Sequence, residues 1–177
     1  MKKIGIIIGS NRSQRSSLII GQWLQRNLSD MPFDTELLDL GSVNLPWLDE
    51  PELPAAGHYQ MPATRAWAKA IAACDGFIIV MPQYNGGYPA VLKNALDTVF
   101  AEWSGKPVGL VSFGGHGGGK AATALQMVFS FLKLEEVPTQ LQVWIKPGAL
   151  NVGDADAILA KYQSDFAKMA DEIAEKI

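Results

Sequence analysis

Cysteine is nearly absent: Cys74 is the only one. That excludes an internal disulfide and a cysteine-rich metal site. Set in Ala72-Ala73-Cys74-Asp75, just before an apolar run, it reads as a buried small hydrophobe rather than a reactive thiol. Lys and Arg form no block, and the net charge is −3. Both argue against nucleic acid as the main partner. No stretch reaches the ~18 apolar residues of a membrane span, so no membrane partner is expected. Met1-Lys2-Lys3-Ile4 has basic character, but the apolar run behind it stops at Ser10. That is too short for a signal peptide, and the cytoplasm is the expected compartment. Histidine is also scarce, with only His58 and His116. No bound metal is expected.

Two nucleotide motifs are missing as well. After the first apolar run the dinucleotide fingerprint would need three glycines, G-x-G-x-x-G. Gly9 is there, but Asn11 and Gln14 stand where the others belong. Gly114 to Gly119 followed by Lys120 approaches a P-loop, G-x-x-x-x-G-K-[ST]. It fails at Ala121, which offers no hydroxyl to a magnesium ion.

What is present is an alternation of strands and helices. The 177 residues suffice for one domain with its own core. Strands are expected at Lys3–Ile8, Phe33–Leu40, Gly76–Met81, Lys106–Phe113 and Thr139–Ile145. The nearly unbroken apolar run Gly76–Met81 suits the buried centre of a parallel sheet. Helices are expected from a cap at Ser16 or Ser17 to Leu28, at Ala63–Ala73, Ala90–Phe100 and Lys120–Leu134, and after a cap at Asp154. In the last, Ile158, Tyr162, Phe166, Met169 and Ile173 recur every three to four residues. Five strand–helix units make an α/β fold with a parallel sheet and helices on both faces. Such sheets bind ligands at the C-terminal ends of their strands.

Three strand ends carry unusual turns. The first, Gly9 to Ser17, packs four Ser, one Asn and two Arg in front of a helix. A helix N-terminus has N–H groups without partners and the positive end of its dipole, so this turn suits a phosphate. The second is Pro82-Gln83-Tyr84-Asn85-Gly86-Gly87-Tyr88-Pro89, and the third is the glycine run Gly114–Gly119. Backbone so poor in side chains lets a flat ring approach closely. A monophosphate at one end and a ring at the other describe flavin mononucleotide (FMN).

Together, Gly9–Arg15, Pro82–Asp97 and Ser112–Gly119 resemble the NADPH-dependent FMN reductase family over residues 3 to 145. The resemblance implies a flavodoxin-like three-layer sandwich with a five-stranded sheet in the order 2-1-3-4-5. It implies bound FMN, NADPH or NADH as co-substrate, and a small-molecule acceptor such as a quinone, azo compound, metal ion or free flavin. Ser10, Arg12, Arg15, Ser16, Ser17 and Leu18 are implied at the phosphate. Pro82, Gln83, Tyr84, Asn85 and Gly86 are implied along the ring and ribityl chain, with Ser112, Gly114, Gly115 and His116 on the far side. Many members carry Glu where this chain has Gln83, which puts any role for a carboxylate there in doubt.

Flavin chemistry belongs to the cofactor, so no catalytic acid, base or nucleophile is expected, and a ping-pong cycle follows. His116 is a candidate assistant and His58 a solvated loop residue. Tyr84 is either a ring neighbour or a tyrosine packing the strand end. The carboxylates Asp49, Glu50 and Glu52 lie in a Pro-flanked stretch, Gly41–Gly57, and read as solvated. The helix from Lys120 is apolar nearly all round, which calls for either full burial or a second copy in a symmetric dimer; the resemblance implies a homodimer or homotetramer. In such an assembly the Trp47 loop is expected to wall the partner's flavin site. The alternatives to a reductase are a flavodoxin-type electron carrier and a phosphate-binding regulator.

Overall fold

A computed structural model describes residues 1–146 and 148–177. Four long parallel strands form the centre: β1 (Lys2–Ile8), β2 (Phe33–Asp39), β3 (Gly76–Pro82) and β4 (Pro107–Gly114). The fifth position is shared by two short strands, β5 (Glu135–Glu136) and β6 (Leu141–Trp144), both paired with β4. The order is therefore 2-1-3-4-5 with six strands in five positions. The gap between β5 and β6 contains Pro138, which has no N–H to give to a ladder.

Alternation along the strands divides the core in two. Ile4, Ile6, Ile8, Ile78, Val80, Val111 and Phe113 point to one face, which is covered by α1 (Ser16–Asn27), α6 (Ala155–Leu159) and α7 (Gln163–Ala174). Ile7, Phe77, Ile79, Met81, Val108 and Leu110 point to the other. That face is covered by α3 (Pro62–Ala72), α4 (Ala90–Asp97) and α5 (Gly119–Leu132). A four-residue α2 (Leu40–Val43) follows β2 directly.

Several boundaries differ from the sequence expectation. Neither Ser16 nor Ser17 caps α1: Arg15 holds the cap position in extended backbone and makes no side-chain cap bond. The leading N–H groups of α1 are thereby left without a side-chain acceptor. The last helix is interrupted by a 3₁₀ turn at Ala160–Tyr162, and Asp154 makes no side-chain cap bond to α6. At that break the Tyr162 hydroxyl accepts a hydrogen bond from Trp144 N–H at 2.9 Å, tethering the turn to β6. The α4 helix stops at Asp97 instead of Phe100, and the Thr98 hydroxyl donates to Asn94 O at 2.6 Å. The stretch expected as open loop, Gly41–Gly57, includes the end of α2 and a 3₁₀ turn at Pro54–Ala56. It is pinned down: Asn94 accepts from Leu48 N and donates to Pro46 O, both at 2.9 Å. No helix among the described residues is long and apolar enough to cross a membrane.

Candidate active site

The C-terminal ends of β1, β3, β4 and β6 open onto one cleft of about 790 Å³. It is walled by the turn after β1, the start of α1, the turns after β3 and β4, and the segment after β6. Among the described residues, Arg12, Arg15 and Lys146 are its charged lining residues, and no carboxylate lines it. A site so built favours an anion.

The turn after β1 begins at Gly9, whose N–H donates to Val80 O at 2.8 Å. A Cβ there would stand 3.0 Å from that same oxygen, so glycine lets the two backbones meet. Ser10 follows, 1% exposed, with its hydroxyl 2.8 Å from that of Tyr84. Arg12 is exposed and makes no ion pair among the described residues. Arg15 instead pairs with Asp39. Ser17 is fully buried, and its hydroxyl has no hydrogen-bond partner among the described residues.

The turn after β3 is a two-residue hairpin. Tyr84 and Gly87 exchange both backbone hydrogen bonds at 2.9 Å, around Asn85 and Gly86 at φ of 50° and 82°. Positive φ at both central positions is what a type I′ turn requires, and Asn-Gly is the pair that adopts it most readily. Gln83 just before it accepts from Ala121 N–H at 3.2 Å, in the first turn of α5. The α5 cap itself is Gly118 at φ 79°, where a Cβ would come 2.9 Å from Phe113 N. At Gly115 a Cβ would meet nothing within 4 Å, so the β4 turn is open on the cleft side.

Of the residues singled out from sequence, Ser10, Arg12, Arg15, Ser16, Leu18, Pro82, Gln83, Tyr84, Gly114 and Gly115 line the cleft. Ser17, Asn85, Gly86, Ser112 and His116 are not among its lining residues. Ser112 is fully buried and its hydroxyl donates to Gly117 O at 2.8 Å, which holds the glycine run in place. The exposed His116 ring meets the Trp144 ring edge-on at 5.7 Å. Sequence reasoning missed Ile19 and Gln22 on α1 and the whole wall after β6: Ile145, Lys146, Gly148, Leu150, Asn151 and Val152.

The sequence profile of the family described as NADPH-dependent FMN reductase matches residues 2–146. The chain belongs to that family. As a member of the NADPH-dependent FMN reductases it is an oxidoreductase that works with FMN and NAD(P)H. It is 49% identical over 140 residues to an NAD(P)H-dependent FMN reductase of Schizosaccharomyces pombe, covering 77% of this chain and 70% of that one. It is 39% identical over 147 residues to an NAD(P)H-dependent FMN reductase of Saccharomyces cerevisiae, covering 76% and 77%. Among solved structures, a flavoenzyme NAD(P)H:(acceptor) oxidoreductase of Paracoccus denitrificans superposes with a TM-score of 0.71 over 99% of both chains. At 20% identity that likeness establishes the fold alone.

The residues present fit the cofactor this family takes. The start of α1, without a side-chain cap, and a cleft lined by Arg12, Arg15 and Lys146 suit an anion. The hairpin at Asn85-Gly86 and the open backbone at Gly115 leave space for a flat ring.

Proposed function

We propose that the cleft seats FMN with its phosphate in the turn after β1 and its ring between the turns after β3 and β4. One observation supports this: an anion-seeking helix N-terminus, the turn after β3 and the glycine-opened turn after β4 line a single cleft with no carboxylate among the described residues. Bound FMN would supply the redox chemistry, taking a hydride from the nicotinamide and passing two electrons onward.

The protein's own residues bind and orient. Arg12 and the leading N–H groups of α1 hold the phosphate, with Ser10, Ser16, Ser17 and Leu18 around it. Pro82, Gln83 and Tyr84 form one wall of the ring site, with Asn85 and Gly86 completing the turn beside them, and Gly114 and Gly115 form the other, with Ser112 and His116 behind them. In this reading no residue acts as acid, base or nucleophile in the transfer, and His116 is at most an assistant. Both substrates enter through the same open side, so they take turns in a ping-pong order. The acceptor is a flat or small oxidant such as a quinone, azo compound, metal ion or free flavin.

The working unit proposed is a single flavodoxin-like domain paired with a second copy, as a homodimer or homotetramer. Five of the fourteen residues of α5 are buried, but its outer face leaves Met127 81% and Phe131 75% exposed. The Phe131 ring lies 6.0 Å from Phe100, extending the apolar surface beyond α5. A second chain would cover it.

Titration of the protein with FMN tests the cofactor site. A shifted flavin absorption band with quenched fluorescence is expected, and an unperturbed FMN spectrum overturns the proposal.

A further inference from the structure

We propose that Arg15, although it lines the cleft, is a positioning residue: its pair with Asp39 braces the phosphate turn, and Arg12 alone presents a free guanidinium to the phosphate. This rests on the FMN reading above and sharpens it.

Arg15 and Asp39 form an ion pair with side chains only 13% and 15% exposed. The pair is prepared by the fold. Parallel pairing sets Ile8, the last residue of β1, beside Asp39, the last of β2. Asp39 is fixed further: Oδ1 accepts from Gly41 N at 3.0 Å, and Oδ2, the oxygen paired with Arg15, also accepts from the Ser42 hydroxyl at 2.9 Å. Gly41 makes room: a Cβ there would lie 2.7 Å from Nη2 of Arg15. The second arm of the guanidinium donates from Nη1 to Arg12 O at 3.0 Å. That bond closes the turn on itself and fixes the main chain from which the Arg12 side chain projects. The remaining donor, Nε of Arg15, is sealed from solvent and has no partner among the described residues.

Charge follows from this arrangement. A guanidinium paired at close range with a carboxylate presents little net field to a third group, whereas an exposed, unpaired one presents its full charge. The exposed Arg12 makes no ion pair among the described residues. The two arginines of the turn therefore divide the work: one shapes and one binds.

The substitution Asp39→Asn separates this from a direct Arg15–phosphate contact by the sign of its effect. If Arg15 binds phosphate directly, removing its counter-charge frees a cation and FMN binds more tightly. If Arg15 braces the turn, the turn loosens. FMN binding then weakens by about tenfold, the scale of one charge-assisted hydrogen bond. Riboflavin, which has no phosphate, binds as before. Gly41→Ala displaces the guanidinium without altering any charge and is expected to act in the same direction, so it serves if Asp39→Asn does not fold. Thermal unfolding of the apo-protein establishes folding for both. Tighter or unchanged FMN binding in a folded variant overturns the proposal. If the unaltered protein binds FMN no better than riboflavin, the phosphate site itself fails, which is a separate result.

Discussion

The hydroxyls of Ser10 and Tyr84 lie 2.8 Å apart, across 74 residues of sequence. Ser10 lies in the turn after β1 and is almost fully buried, while Tyr84 opens the hairpin after β3. The bond thus joins the turn proposed to hold the phosphate to the turn proposed to hold the ring. Its loss should be felt on both. In Tyr84→Phe the Ser10 hydroxyl keeps only a long contact from Arg12 N–H, at 3.5 Å. The expected loss of stability is about 1–2 kcal/mol, read from urea unfolding of the apo-protein. FMN affinity should fall severalfold in the same variant. An unchanged unfolding midpoint would show that the bond contributes nothing.

Arg12→Ala should weaken FMN binding by about 2–3 kcal/mol, the value of a charge-assisted contact to phosphate. Riboflavin binding should not change. The effect should shrink as salt is added, because the site is open to solvent. Equal FMN affinity in the variant and the unaltered protein would remove Arg12 from the phosphate site.

A buried thiol and a half-buried phenol set an alkaline limit. Burial, helped by the charge of Glu36, pushes the Cys74 thiol from 9.0 up to about 11. Burial and the hydrogen bond to Glu102 push Tyr59 from 10.0 to about 12, against the opposing N–H of Phe100. An acid with a raised folded pKa holds its proton longer when folded. Its contribution to stability is complete below the unfolded pKa and is lost as pH rises through the folded one. Thermal unfolding should therefore show a falling midpoint between about pH 9 and 12, from these two groups. A thiol reagent at pH 8 should leave Cys74 unmodified until the protein unfolds. Fast labelling of the folded chain would contradict its place in the core.

The exposed face of α5 predicts association. Phe131→Glu combined with Met127→Glu should give a smaller particle in sedimentation, with unfolding almost unaffected, since both side chains are exposed in the single chain. A monomer of 19.2 kDa for the unaltered protein would refute a second copy as the cover.

Much of the fold was legible because its signals are local. The apolar runs at Ile4–Ile8 and Gly76–Met81 mark strands buried on both faces, and Asn85-Gly86 marks the hairpin. The turn after β1 stood out by its density of Ser and Arg. What sequence could not show depends on which strand ends lie together. Arg15 and Asp39 are 24 residues apart and meet only because β1 and β2 are parallel neighbours. The wall after β6 escaped notice because Ile145, Leu150 and Asn151 are ordinary residues that gain a role from position alone. A cue existed: the sequence after the last strand reads Lys146-Pro147-Gly148, and its Lys146 and Gly148 line the same cleft as the other turns. Ile19 and Gln22 were also within reach, since Gln22 lies three residues beyond Ile19 and so on the same side of α1.

The central claim is that this cleft uses FMN to oxidise NAD(P)H, and anaerobic reduction tests it most directly. The FMN-loaded protein is mixed with NADPH or NADH in a stopped-flow cell without oxygen, and flavin absorbance is followed. Bleaching within seconds by at least one nicotinamide, followed by return of the colour when a quinone is added, is the predicted result. FMN that stays oxidised with both nicotinamides while remaining bound would contradict the account and make the protein an electron carrier instead.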